Sequence, residues 1–253
     1  MKKSKLMYMA AAFFAAVFLF SGAMLVKDYV DGRNANEVYE ELSASIKTEE
    51  GIRPYEYYRD IYAKNDDMIG WLRILGTNID YPVMQSVDEP DFYLDHGFNK
   101  KKSSYGALYV QENCSILNSD NLIIYGHNMK DGKMFSDLCR YADKDFYDDH
   151  KTIYFDTLDI FGTYEIVCVF RTEVYKDGCF KYYNFVNARN EDDFNSFMAK
   201  CDALKLYDTG VSVEYGDRLI TLSTCDPYAK NGRMVVVAKM IKADDTYERD
   251  QDS

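Results

Sequence analysis

Eight short segments rich in β-branched and aromatic residues follow one another from residue 68 onward, and turn residues separate them. This spacing is typical of a mainly β domain. Eight strands of this size suit a small closed barrel, which leaves no open sheet edge. We therefore expect a mainly β fold, a closed eight-stranded barrel over residues 67–242. The predicted strands are 69–75, 79–84, 107–110, 122–125, 152–156, 164–171, 217–224 and 234–241.

Two helical segments interrupt the predicted strands. The first runs from 134 to roughly 145, and the second, at 191–204, comes before the strand that carries Cys225. In the second segment, apolar residues recur at helical spacing and form one face, which predicts packing against the core rather than a cofactor site. The residues of this face are Phe194, Phe197, Met198, Cys201 and Leu204.

The first residues carry the signature of a membrane segment. Residues 1–5 include three lysines, and residues 6–26 are apolar except for Ser21 and Gly22. A run of roughly 20 apolar residues can cross a bilayer as a helix. The lysines before the run place the N-terminus in the cytoplasm. We predict a cytoplasmic tip at 1–5, a single-pass signal-anchor at 6–26 and an extracellular remainder.

The alternative for this apolar run is a cleaved signal peptide. The small residues at 21–23 resemble a cleavage site, and the mature chain would then begin at residue 24. Signal peptides have an apolar region of about 7 to 15 residues, and this run is longer. The length favours the uncleaved anchor, and either alternative exports the rest of the chain.

The segments that flank the barrel are predicted from charge and periodicity. Residues 27–66 contain apolar residues at helix-like intervals and predict an N-terminal helical region, with a second helix at 54–62. Residues 243–253 form an acidic tail that we expect to be solvated. With 30 Lys and Arg against 42 Asp and Glu, the net charge is −12. This charge repels phosphate backbones, so we predict no nucleic-acid partner.

The six cysteines, at 114, 139, 168, 179, 201 and 225, have no spacing suited to zinc. We predict no metal and no cofactor. Cys168 has the sequence context of a buried strand residue, and Cys139 and Cys201 lie on helical patterns, so all three are expected to be packed in or near the core. Cys114 and Cys179 fall in predicted loops, where export permits a disulfide without requiring one.

Three residues suggest nucleophilic chemistry. Cys225 ends a strand, Arg233 opens the next one, and His127 follows an apolar strand far upstream. A thiolate needs a proton acceptor or a cationic neighbour to be abundant near neutral pH, and imidazole can be either. The alternatives are a buried structural thiol for Cys225, a turn residue for His127, and an ion pair of Arg233 with Asp226 or Asp217.

The other two histidines, His96 and His150, lie in charged, loop-like contexts, and we expect both to be exposed to solvent. Asp226 directly follows the candidate nucleophile. Adjacent residues at a strand end point to opposite sides, so we do not expect Asp226 to complete a triad with Cys225. It is expected to shape the loop that leads to Arg233.

Taken together, these motifs resemble the bacterial sortases, and specifically their class B group. The similarity covers most of residues 54–242, and the helical insertion at 191–204 also resembles class B. The motifs are TLSTC at 221–225 followed by RMVVVAK at 233–239, YGHNM at 125–129 with Phe135 downstream, GWL at 70–72 and YPV at 81–83. Leu-Ser-Thr-Cys alone would be only a moderate indication of this family. Its position after the YGH motif and before Arg233 in the chain makes the combination specific.

The resemblance implies a cysteine transpeptidase on the outer face of a Gram-positive membrane. Such enzymes cleave a C-terminal sorting motif of secreted proteins and transfer the acyl group to an amine of the peptidoglycan precursor. Cys225 matches the nucleophile, His127 the general acid and base, and Arg233 the residue that holds the substrate and stabilises the oxyanion. No cofactor is implied.

Five further residues are candidates for substrate binding. Tyr125 and Ser223 lie two positions before His127 and Cys225, so each shares a strand face with its catalytic candidate. The resemblance further implies contacts from Leu94 and from the loop 173–187, including Tyr182 and Tyr183.

Other functions remain open at this point. In a papain-like peptidase or wall hydrolase water would resolve the thioester, but such chains place Cys before His, whereas His127 precedes Cys225 here. A membrane-tethered binding module would have the barrel without the chemistry. A pilus-polymerising sortase often carries a lid segment and a second membrane stretch, and the sequence shows neither clearly.

Overall fold

The computed structural model describes residues 2–46 and 50–247 and confirms a closed barrel of eight strands. Around the barrel the strands follow the order β1-β2-β3-β4-β7-β8-β6-β5. The predicted strands are confirmed, with ends that differ by up to three residues. The strands are β1 Met68–Arg73, β2 Asp80–Met84, β3 Leu108–Val110, β4 Asn121–Tyr125, β5 Thr152–Thr157, β6 Phe161–Glu173, β7 Leu219–Cys225 and β8 Gly232–Asp244.

Two pairs of strands are parallel, β2 with β3 and β4 with β7, and the remaining pairs are antiparallel. The β4–β7 ladder runs from Asn121 opposite Leu219 to Tyr125 opposite Ser223. Because these strands are parallel, both end at the same edge of the barrel. The chain that follows each strand therefore starts from neighbouring points at that edge.

The helices are α1 Lys2–Ala44, α2 Pro54–Tyr62, α3 Lys144–Asp149 and α4 Glu191–Leu204. The predicted bounds of α2 and α4 are confirmed. The predicted helix from 134 to roughly 145 is instead two pieces, a 3-10 helix Ser136–Ala142 and then α3. The break lies at Asp143, which is extended and caps α3 by accepting a hydrogen bond from the Asp145 N–H.

The predicted anchor and the first helix after it form one continuous helix, α1. Among the described residues, one helix is long and apolar enough to cross a membrane, over Met7–Ala44, with a mean hydropathy of 2.3 in its most apolar window. That window is not buried against the rest of the protein. The C-terminal end of α1 packs on the barrel, where the Tyr39 hydroxyl donates to the Gly106 carbonyl at 2.9 Å.

The barrel interior and its helical insertion form two packed cores. The larger fills the barrel and extends beneath α2, and it includes Trp71 and Phe155. The smaller lies between α4 and the outer face of β6 and β8, around Phe194 and Phe197. Cys201 belongs to this second core and Met198 packs against it, so the apolar face of α4 packs as predicted except at Leu204, which is 38% exposed at the end of the helix.

Two expectations about exposure are wrong. His96 and His150 are half-buried rather than exposed, because each ring stacks on an aromatic residue four positions earlier, at centroid distances of 4.0 and 4.1 Å. The predicted solvated tail is also partly packed, since Tyr247 stacks on Tyr57 at 5.1 Å. The rest of that tail, 248–253, lies outside the described residues.

Candidate active site

Cys225 ends β7 with an exposed side chain. All six cysteines are free, so Cys114 and Cys179 do not form a disulfide. Burial raises the pKa of the Cys114 thiol to about 11 and that of the Cys139 and Cys168 thiols to about 12. Because its side chain is exposed, Cys225 is not the buried structural thiol of the alternative interpretation.

His127 leaves the barrel edge beside Cys225. Past the ladder, the Gly126 N–H donates to the Ser223 carbonyl at 3.2 Å, which keeps the two chains side by side for one more residue. Gly126 permits this approach, because a Cβ there would lie 2.4 Å from the Leu108 side chain. The imidazole is half-buried, and its Nε2 lies 2.8 Å from the Leu94 carbonyl oxygen.

Arg233 is the antiparallel partner of Cys225 in the β7–β8 ladder. Residues directly opposite in such a ladder have Cβ atoms about 5 Å apart on one face, so the guanidinium stem and the thiol start side by side. One guanidinium nitrogen, Nη1, donates to the Gly232 carbonyl at 2.9 Å. Asp226 pairs with Arg171 at 2.7 Å and Asp217 with Lys239 at 3.6 Å, so neither proposed ion pair with Arg233 forms.

A cleft of 490 Å³ brings the three residues together. Its lining also contains all five candidate substrate-binding residues: Tyr125, Ser223, Leu94, Tyr182 and Tyr183. Residues that are distant in the chain and were predicted to share a site thus line one cleft. Sequence reasoning missed other lining residues, among them Asp91, Tyr109, Gln111 and Glu112, whereas Val174 and Tyr175 belong to the loop 173–187 that the resemblance implied.

The candidate substrate residues divide by burial. Tyr182 and Ser223 are each 1% exposed, and their hydroxyl oxygens lie 2.6 Å apart at the base of the cleft. Burial raises the pKa of Tyr182 to about 12, so this hydroxyl keeps its proton near neutral pH. The Tyr125 hydroxyl donates to Gln111 Oε1 at 2.6 Å. Leu94, at 44% exposed, offers apolar surface at the rim.

Two side chains that sequence reasoning left without a role join the strand of the thiol to the segment of the imidazole. The Thr224 hydroxyl donates to the Gly126 carbonyl at 2.7 Å, and Asn128 Nδ2 donates to the Cys225 carbonyl at 3.0 Å. The sequence feature that could have identified Asn128 as a site residue was its position directly after His127. No periodicity or charge pattern distinguishes such a residue from a turn asparagine.

Asp226 has a structural role, as the alternation at the strand end predicted. Its carboxylate is buried and accepts from Arg171 Nε at 2.7 Å and from the Tyr228 N–H at 3.0 Å. The Asp226 N–H donates to the Gly232 carbonyl at 3.0 Å and closes the loop between β7 and β8. Within residues 2–46 and 50–247, no group of three or more His, Cys, Asp and Glu side chains is placed to hold a metal ion.

Comparisons with known proteins agree with this architecture. The Sortase domain family model matches residues 72–241. Sortase B of Listeria monocytogenes is 36% identical over 242 residues, which cover 89% of this chain and 92% of that protein. The Staphylococcus aureus sortase B-substrate complex superposes with a TM-score of 0.75 at 28% identity, covering 84% of this chain and 99% of that one.

A second solved structure, a sortase B complexed with triglycine, has a TM-score of 0.73 at 29% identity and covers 85% of this chain and 99% of its own. The family match spans well over half of the chain, and the closed barrel with N-terminal helices is that of the solved sortase B structures. The chain therefore belongs to the sortase family, in its class B group, and is a cysteine transpeptidase.

Proposed function

We propose that this transpeptidase cleaves a C-terminal sorting motif of secreted proteins through a thioester on Cys225. It then transfers the acyl group to an amine of the peptidoglycan precursor. The observation that carries the proposal is the exposed Cys225 thiol in one cleft with His127 and with the Arg233 guanidinium, which has no acidic partner among the described ion pairs. The relatives solved with a substrate and with triglycine support the two partner classes, a sorting peptide and an amine.

The first half of the reaction forms the thioester. His127 accepts the proton of the Cys225 thiol, the sulfur attacks the scissile carbonyl, and the carbonyl electrons move to oxygen to give a tetrahedral oxyanion. When the intermediate collapses, the C–N bond breaks and His127 donates a proton to the departing amine. The acyl group stays on the sulfur.

The second half transfers the acyl group. The precursor amine attacks the thioester carbonyl, His127 accepts the proton that the amine loses, and the C–S bond breaks to release Cys225. If water attacked instead, the product would be a free carboxylate. The acceptor thus distinguishes a transferase from a hydrolase that uses the same residues.

Arg233 is proposed to bind the substrate and stabilise the oxyanion. Arginine keeps its charge at any pH of interest and carries five N–H donors, so it cannot act as the base. One of these donors is used on the Gly232 carbonyl, which orients the side chain and leaves the others for the substrate. A guanidinium of fixed orientation near a developing oxyanion stabilises the transition state more than the ground state.

The sorting peptide is proposed to lie along the cleft over Tyr182 and Ser223. Leu94 and the half-buried Tyr183 offer apolar surface at the sides, and Tyr125 is fixed by its bond to Gln111. These five positions combine apolar contact with few polar groups, as small binding sites generally do.

We propose that α1 anchors the enzyme in the cell membrane, with the N-terminus in the cytoplasm and the barrel outside. The helix has 43 residues, which at about 1.5 Å per residue exceeds the roughly 30 Å of a bilayer core. Large apolar side chains from Met7 to Val26 are exposed on it. The continuity of α1 from this segment to Tyr39 would hold the barrel close to the membrane surface.

The test is a mass spectrum of the full chain in detergent, mixed with a library of sorting-motif peptides and a glycine-based amine. We expect a thioester adduct on Cys225 and, with the amine present, a peptide–amine product. Cys225→Ala removes both, while Cys179→Ala, a half-buried cysteine outside the cleft, retains them. Full cleavage by Cys225→Ala would refute the thioester, and an unchanged product with and without amine would indicate a hydrolase.

A further inference from the structure

The strands that carry the thiol and the imidazole separate at the place where both residues lie. Their parallel ladder ends at Tyr125 opposite Ser223, and the Gly126 N–H makes one further bond. Beyond it the His127 carbonyl accepts from the Phe135 N–H at 2.8 Å, within its own loop. The ladder therefore does not by itself fix the position of His127 relative to Cys225.

The side chain of Asn128 spans this gap. Its Nδ2 donates to the Cys225 carbonyl at 3.0 Å and to Cys139 Sγ at 3.2 Å. A carbonyl oxygen only accepts hydrogen bonds, so the amide nitrogen of Asn128 has to face it. Asn128 is the residue after His127, so one side chain joins the backbone of the imidazole to the backbone of the thiol.

Cys139 fixes the orientation of this amide. Burial raises the pKa of the Cys139 thiol to about 12, so the sulfur keeps its proton and donates weakly to the Cys225 carbonyl at 3.7 Å. The same sulfur accepts the second N–H of Asn128. Both amide hydrogens are thus used, and the carbonyl at the end of β7 is held from two directions.

We propose that Asn128 is a positioning residue for the transpeptidation, acting through both Cys225 and His127. The inference rests on the proposed roles of those two residues. The Cys225 carbonyl closes β7, and its direction determines how the backbone of Cys225 turns and where the sulfur points. Reacting groups must be held within a few tenths of an ångström, and a displacement of about 1 Å can cost about 10²-fold in rate.

The sharpest perturbation is Asn128→Asp in the full chain. Aspartate has the same shape but has no N–H, and it directs carboxylate oxygens at the Cys225 carbonyl and Cys139 sulfur, so both bonds are lost. With the best peptide of the library screen, we expect kcat to fall about 10- to 100-fold while KM changes by less than about threefold. The matched control is Asn118→Asp, an exposed asparagine whose side chain donates to Ser115, outside the cleft.

A second readout separates positioning from a general loss of structure. The rate at which iodoacetamide alkylates Cys225, followed across pH by mass spectrometry, reports the thiolate fraction and the accessibility of the sulfur. We expect the profile of Asn128→Ser, which adds no charge beside the thiol, to shift, and that of Asn118→Asp to match the parent. If Asn128→Asp fails to fold, Asn128→Ser, which keeps a shorter donor, should show a severalfold lower kcat at an unchanged melting temperature.

The inference is overturned if Asn128→Asp keeps the parent kcat, or if its kcat falls only in proportion to its folded fraction. It is equally overturned if a folded Asn128→Ser keeps the parent kcat or the parent alkylation profile. These results differ from failure of the proposed function, in which Cys225→Ala itself would stay active. An inactive Cys225→Ala beside a fully active Asn128→Asp would refute the positioning role alone.

Discussion

The buried carboxyl of Asp156 makes stability depend on pH in a direction that can be stated in advance. It lies on β5 under α2, is 8% exposed, and accepts from the Tyr58 hydroxyl at 2.6 Å and from the Gly162 N–H at 3.2 Å. Burial raises its pKa from 3.8 to about 6, although these hydrogen bonds and the charge of Arg73 oppose the shift. The folded protein thus binds this proton more tightly than the unfolded chain.

A raised pKa gives a stability term that is complete below the unfolded value and is lost as the pH rises through the folded one. For Asp156 the window runs from 3.8 to about 6. At about 1.4 kcal/mol per pKa unit, the loss amounts to about 3 kcal/mol of unfolding free energy. Asp156→Asn cannot ionise, so across this window its stability should rise by about that amount relative to the parent.

The only tryptophan offers a local probe. Trp71 stacks on Tyr58 at 6.0 Å and donates to Asp80, so its fluorescence reports the packing of α2 on the barrel. Denaturant unfolding of the parent and of Asp156→Asn would be compared at about pH 3.5 and about pH 7. The exposed Asp159→Asn serves as control. A parent–variant difference that is equal at both pH values would refute the reasoning.

Three further predictions concern the site. Arg233→Ala should lower kcat about 10²–10³-fold, and Arg233→Lys should also have a low kcat because an ammonium lacks the planar fork of the guanidinium. A loss below tenfold, or an equal loss in the exposed control Arg189→Ala, would contradict this role. Arg171→Ala leaves the buried Asp226 carboxylate without its charged partner and should lower the unfolding free energy by about 2–3 kcal/mol. This is less than for a fully buried pair because Arg171 is one-third exposed. Denaturant unfolding measures the change, and an unchanged midpoint would be evidence against it. Iodoacetamide at neutral pH should label Cys225 before the other five cysteines in mass spectra, and uniform labelling of the folded chain would count against an accessible nucleophile.

The strands and two of the helices were predictable because their signals are local. Alternating apolar residues and turn residues located all eight strands, and Pro54 with the apolar spacing after it located α2. The break at Asp143 was not predictable from periodicity, because a capping side chain decides it. The continuity of α1 was missed because the change from apolar to polar composition at residue 27 suggested a boundary that the backbone does not have.

The convergence of the candidate site residues in one cleft was predictable, but their supporting contacts were not. Cysteine, histidine and arginine are residue types with known roles in catalysis, and the order of the motifs along the chain predicted that Cys225, His127 and Arg233 act together. The partners of Asp226 and Asn128 depend on which distant parts of the chain meet in space, and Arg171 of β6 lies 55 residues from Asp226. The stacking of His96 and His150 was missed for a different reason, since both aromatic partners lie four residues earlier but in segments interpreted as loops. Family membership excludes the binding-module hypothesis.

The parallel pairing of β4 with β7 has a consequence for how the enzyme comes into being. Residues about 100 positions apart in the chain become neighbours there, and such remote contacts form late because a long loop has to close first. A nascent polypeptide that ends before β7 has the His127 imidazole but lacks the Cys225 thiol beside it. Transpeptidase competence should therefore appear all at once, when the last strands close the barrel, and incomplete copies should be inactive.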